Sequence, residues 1–337
     1  MNEITSARAQ ERVLWPDAAR GLGIILVVLG HVIAGLLNVG VLDHTPAAHW
    51  IYFVIYTFHM PLFFVLSGLF LRDGVKRGVE DFLVGKAWTL IVPYFLWSWT
   101  QGVLQMAMAG VLDEPRSIDA LVSIGWQPIS QFWFLYALLL CHLAGLALRT
   151  RPLLLLALAV AGSIGASFLP WTNIIAKTLH FLPYYAIGAL ASRRALNWRA
   201  PPVWVTGALL ACFAASAALA GGVTQFRAES LMTTPAALFG VASAFALALS
   251  AEAVLGLRRL GRASMTILVL HILVIVSLRM VLLGAGVDEP APHLILGLGL
   301  GLLLPAFAHV ALEQWNLLPL LGLARPRRKP VEAPASA

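Results

Sequence analysis

Charge is what this 337-residue chain has least of, since only 12% of its residues are Asp, Glu, Lys or Arg. A soluble domain carries roughly twice that share. Against it stand 60% hydrophobic residues and a mean hydropathy of +0.84. So little polar surface cannot cover a core of this size in water, which excludes a soluble enzyme and a disordered chain. Cysteine is scarce too: Cys141 and Cys212 lie inside apolar runs with no ligand spacing, so a disulfide scaffold is excluded. No polar stretch is long enough for a second domain. The composition is that of an integral membrane protein.

What is present is a series of apolar runs, each near the 20 or so residues that a hydrocarbon core requires. They fall at 19–37, 50–71, 87–110, 130–148, 152–169, 173–191, 202–220, 235–257, 264–284 and 294–316. The expected fold is all-α, a polytopic bundle of about ten transmembrane helices, punctuated by stretches such as Asp113-Glu114-Pro115 and Asp288-Glu289-Pro290. With the N-terminus inside, 19 of the 23 Lys and Arg residues fall in inner loops and tails. The inner set includes Arg8, Arg12, Arg193, Arg194, Arg327, Arg328 and Lys329; Arg116, Lys177, Arg227 and Arg279 are the exceptions. By the positive-inside rule both termini are then cytoplasmic, in a multi-pass protein of the cell (inner or plasma) membrane. The net charge of +7 is explained by those loops, without nucleic acid. Trp15, Trp50, Trp126 and Trp171 near span ends suit an interfacial belt. Residues 1–18 read as an N-terminal tail, 19–318 as the transmembrane domain and 319–337 as a basic C-terminal tail. The first span reads as a retained signal-anchor, because its apolar stretch is long for a secretory signal.

Ionisable groups inside spans are costly and are functional candidates by default. Arg20 and His31 are eleven residues apart on the first span, which returns to nearly the same helix face after a rise of about 16 Å. One face therefore carries a cation at the inner interface and an imidazole near mid-depth. A snorkelling Arg with a histidine bonding a neighbouring helix accounts for this equally well. On the second span His59 lies at a depth similar to His31, and Pro61 frees backbone carbonyls beside it. Ser67 and Gly68 fall near the inner end, level with Arg20, where a small-residue helix contact is the plainer reading. His271 lies seven residues after Ser264 on nearly the same face, and packing is its simplest role. His142 and His309 read as residues bonding within the bundle. His180, at mid-depth, carries no motif. Metal is not expected at His44, His49 and Asp43, since a structural zinc needs four ligands.

Asp17-x-x-Arg20-Gly21 followed by His31 resembles the first-span signature of the acyltransferase 3 family of membrane O-acyltransferases. Phe58-His59-Met60-Pro61-Leu62-Phe63-Phe64-x-x-Ser67-Gly68 is similar to its second-span motif, particularly in the fucose 4-O-acetylase-like branch. Phe132-Trp133-Phe134-Leu135 and Leu182-Pro183-x-x-Ala186-x-Gly188 resemble two later motifs. Leu260-Gly261-x-x-Ser264 with His271 resembles the last, with Met265 and Leu268 where tyrosines are often found. Lys86 stands where arginine is usual. The ordered matches run through nearly the whole membrane region.

The resemblance implies transfer of an acyl group, usually acetyl from acetyl-CoA, onto a hydroxyl of a cell-envelope or exported glycan or lipid-linked saccharide. Acetyl-CoA or another acyl-CoA is then a co-substrate, with no tightly bound cofactor and no metal. Anionic CoA needs fixed cations at the inner face, and Arg20, Arg72 and Lys86 are placed for it. His31 suits the base that takes the hydroxyl proton, or a transiently acylated nucleophile, with His59 as its rival. Asp17, Ser67, Gly68, Trp133, Ser264 and His271 are the supporting residues that the motifs mark. A secondary transporter of a small polar solute is the alternative. It would ordinarily need intramembrane carboxylates or repeated halves, whereas Asp17, Glu252 and Glu313 lie near inner ends and no internal repeat is visible.

Overall fold

The computed structural model describes residues 13–107, 118–195 and 197–326, all helical or irregular. Arg8, Arg12, Asp113-Glu114-Pro115, Arg116, Arg327, Arg328 and Lys329 lie outside the described residues, as do the side chains of Arg193 and Arg194. The long helices are α1 (Trp15–Asn38), α2 (Pro46–Leu69), α5 (Val92–Ala107), α7 (Trp133–Ala147), α8 (Pro152–Ala166), α9 (Ile174–Ala195), α10 (Val203–Thr224), α11 (Thr234–Ser250), α13 (Ser264–Gly284) and α14 (Pro290–Gln314). Shorter pieces join them: α3 (Leu71–Val75), α4 (Val79–Lys86), α6 (Ile118–Val122) and α12 (Leu255–Arg262).

Several helices begin at proline, whose missing N–H costs nothing in a first turn. In α2 the preceding Thr45 side chain also accepts the Ala48 N–H at 3.2 Å. Among the described residues, eight helical segments are long and apolar enough to cross a membrane. The other two expected spans are shorter. α8 has 15 residues, because the chain leaves the helix after Ala166, ahead of Pro170. α5 has 16 residues and is entered through a π turn, Ala87–Ile91, so the run at 87–110 is composite. The expected span 235–257 is corrected as well. α11 stops at Ser250, and Leu255–Arg262 forms a separate amphipathic helix carrying Arg258, Arg259 and Arg262. Nor do the tails begin where expected: Trp15 to Ala18 are buried in α1, and Trp97 Nε1 donates to Leu321 O at 3.1 Å.

Large apolar side chains face outward, Val203 and Phe168 among them, as they should where lipid is the solvent. Helices in lipid gain little from burying leucine, so close backbone approach has to hold them together. Two crossings do so. A Cβ on Gly261 of α12 would sit 1.8 Å from Asp17 O, and one on Gly21 of α1 would sit 2.1 Å from Leu257 O. Likewise a Cβ on Gly68 of α2 or Gly188 of α9 would lie 2.1 Å from a carbonyl oxygen of the other helix. The first crossing fixes the Arg20 end of α1; the second aligns α2 and α9, which carry His59 and His180 farther along.

Candidate active site

The basic end comes first. Arg20 projects from the first turns of α1, with Nη1 3.1 Å from Asp17 Oδ1 and its guanidinium 5.3 Å from the centroid of Phe70. Asp17 is buried, so the pair anchors the guanidinium at its base. Lys86, the last residue of α4, lies 5.3 Å from the Phe82 ring. Burial, and after it the Arg20 charge, push the Lys86 amine down to about 8. Two like charges thus share a half-desolvated place. Such a place is unfavourable empty and suited to a polyanion. α4 is tied down by a fork from Arg325 to Asp81, at 3.0 and 2.7 Å. Arg72 is exposed on α3. Ser67 is half-buried, Gly68 is at the α2–α9 crossing, and Ser264 opens α13, two turns from His271.

Farther along the same helices is a cavity of about 170 Å³. Both His31 and His59 line it, from α1 and α2. Tyr56 stands between them, its ring centroid 6.3 Å from His31 and 4.8 Å from His59. His31 Nδ1 bonds Val27 O at 2.8 Å, and His59 Nδ1 bonds Ile55 O at 2.7 Å. A carbonyl oxygen can only accept, so each Nδ1 carries the proton and each Nε2 keeps a lone pair. The helix itself selects the tautomer that leaves a basic nitrogen for a ligand.

His271 joins this pair through packing of α13 against α1. Its Nδ1 donates to Ile267 O at 2.9 Å, which leaves its Nε2 as an acceptor 3.4 Å from His31 Nδ1. The His31 proton is thus shared between Val27 O and His271, and the rings meet edge to face at 5.0 Å. Trp133 also lines the cavity, at the start of α7, stacked on Phe181 with 5.5 Å between centroids. His142 bonds the Tyr185 hydroxyl at 2.8 Å, and His309 bonds Thr266 at 2.7 Å, both within the bundle.

Sequence reasoning missed the rest of the wall. Gln131, Lys177, His180 and Glu229 line the same cavity. Lys177 and His180 are one turn apart on α9, and a cation and an imidazole so close within a span was the available signal. Glu229, in the α10–α11 connection, gave none.

A profile of the acyltransferase 3 family, described as an acyltransferase domain, matches residues 13–310. Nodulation protein NolL of Mesorhizobium japonicum is 28% identical over 207 residues, 59% of this chain and 52% of the relative. NolL of Sinorhizobium fredii is 31% identical over 202 residues, covering 55% and 50%. Inner membrane protein YcfT of Escherichia coli is 28% identical over 203 residues, covering 53% and 56%. The chain therefore spans about half the length of these curated relatives. No solved structure matches. With the family pattern running from α1 into α14, the chain belongs to the acyltransferase 3 family of multi-pass membrane acyltransferases.

Proposed function

We propose that the protein moves an acyl group, acetyl in the first instance, from cytoplasmic acyl-CoA to a hydroxyl of a cell-envelope or exported glycan. The observation that carries this is the pair His31 and His59, from two helices, on one cavity wall with Nδ1 tied to backbone and Nε2 unprotonated. Arg20 and Lys86 hold the donor's phosphates at the basic end, which faces the cytoplasm, with both termini on that side. The thioester reaches inward along α1. The acceptor oxygen attacks the thioester carbon as His31 Nε2 takes its proton, and His59 stands opposite as the rival base. The C–S bond then breaks, and the CoA sulfur leaves with the proton returned from the imidazolium. A membrane named for YcfT's location, the inner one, suits this arrangement.

The test uses inverted vesicles holding the full chain, supplied with labelled acetyl-CoA outside and scored for labelled ester inside. Incorporation above vesicles lacking the protein supports the reading; none, with the protein folded and the donor bound, overturns it.

A further inference from the structure

The reading above leaves one wall of the cavity without a task. Lys177 Nζ sits 5.0 Å from the centroid of Trp133 and 5.8 Å from that of Trp171, held over both indoles. Glu229 lines the same cavity near enough to be felt by Lys177, yet no direct ion pair joins them. An ammonium with three donors and a carboxylate with about four acceptor sites are thus both left with capacity to spare. Gln131, which also lines the cavity, is 3% exposed and donates to Gln101 Oε1 at 3.0 Å, so its amide is held within the wall.

The chemistry of an occupant follows from the sum of these groups. Opposite charges at the wall give it no net sign. An anionic ligand would meet Glu229, and a cationic one Lys177. A ring carrying adjacent hydroxyls, each both donor and acceptor, satisfies Lys177 and Glu229 together. The cavity, about 170 Å³, has room for such a ring. A hydroxyl of such a ring faces the same space as His31 and His59.

We infer that Lys177 and Glu229 form the acceptor subsite, which takes an uncharged, polyhydroxylated sugar ring and presents a hydroxyl to the histidine pair. This rests on the acyltransferase function proposed above, and the test keeps the two separable. The full chain in nanodiscs is titrated calorimetrically with methyl α-D-glucopyranoside and methyl α-L-fucopyranoside as uncharged probes, and with methyl glucuronide as the anionic one. A thioether analogue of acetyl-CoA is titrated separately. At least one uncharged glycoside should bind saturably, and the glucuronide about tenfold more weakly. Glu229→Gln and Lys177→Met should each weaken the uncharged probe about fivefold or more, since each loses a charge-assisted hydrogen bond. Lys177→Arg should restore most of the affinity, and the donor analogue should bind all variants as it binds wild type. Glycoside affinity unchanged in both Glu229→Gln and Lys177→Met, a glucuronide bound as tightly as the uncharged probes, or no glycoside bound while the donor analogue binds, would each overturn the subsite alone. Failure of the wild type to bind the donor analogue would overturn the acyltransferase function and, with it, the subsite.

Discussion

Replacing His31 by Ala separates chemistry from binding. The side chain's shortest bond is to Val27 O at 2.8 Å, an oxygen that the helix already pairs with the backbone N–H of residue 31, and His271 Nε2 is a longer partner at 3.4 Å. Removing the imidazole therefore orphans no carbonyl, and His271 keeps its own bond to Ile267 O at 2.9 Å. Folding should survive. A positioned base contributes about 10²–10⁴ in rate, or about 2.7–5.5 kcal/mol of transition-state stabilisation at about 1.4 kcal/mol per tenfold. Arg20 is eleven residues away, a rise of about 16 Å, so donor binding should change by less than about twofold. The assay is single-turnover transfer from labelled acetyl-CoA in nanodiscs, run beside calorimetric titration of the thioether analogue on the same preparation. His59→Gln, which keeps the volume and loses the base, is measured in parallel. Wild-type turnover in folded His31→Ala would refute the assignment and move the base to His59. A loss appearing mainly in donor affinity would refute the division between the two ends of α1.

Arg20→Ala should weaken the donor analogue about 10- to 100-fold through loss of a charge-assisted contact, and Arg20→Lys should recover part of it; equal affinity in wild type and Arg20→Ala would count against the anchor. Lys86 should make donor binding pH-dependent. Its amine titrates at about 8 in the free protein, and a bound polyanion favours the protonated form, so binding takes up a proton and affinity falls as pH rises above about 8. Calorimetry at pH 7, 8 and 9 should show this in wild type and not in Lys86→Arg, whose charge does not titrate there. Reporter fusions after Ala337 and within residues 111–128 should report opposite compartments; the same compartment for both would break the proposed topology.

The helical membrane bundle was legible because lipid imposes a rule on every residue of a span, and a run of apolar side chains is visible without any fold. What the runs could not show is where helices bend or stop inside an apolar stretch. The run at 235–257 hides the end of α11 and the start of α12, since Ala251 to Val254 bring one charge, Glu252, and neither proline nor glycine to mark the break. His31 and His59 were legible for the opposite reason, as isolated imidazoles in hydrocarbon next to motif residues. Arg20, Arg72 and Lys86 were legible only as basic residues near one end; that Arg20 is held by Asp17 and Lys86 is largely desolvated beside Phe82 takes the packing to show. Lys177 was legible only as a basic residue outside the inner loops, and Glu229 carried no signal. Lys177 lies over the indoles of Trp133 and Trp171, and it shares a cavity wall with Glu229 only through the packing of α9 and the α10–α11 connection. That packing depends on a crossing whose signature, Gly68 with Gly188, reads as nothing more than small residues in two unrelated spans.

The same crossing explains why the candidate site can be rigid in a bundle with little hydrophobic drive between its helices. A side chain of even one carbon at Gly68 or Gly188 would need to displace a backbone carbonyl on the other helix, and carbonyls in a helix move only with the helix. Pushing α2 and α9 apart there would shift His59 against the Lys177 and His180 wall, which is borne by α9. At Gly21 and Gly261 the consequence falls on Asp17 and Arg20, because α12 presses on the turn of α1 that carries them. The cations proposed to hold the donor and the cavity proposed to hold the acceptor lie on shared helices, a rise of about 16 Å apart along α1, so the proposed reaction path asks for a donor with a long flexible arm. A polyanion with such an arm is what acyl-CoA is.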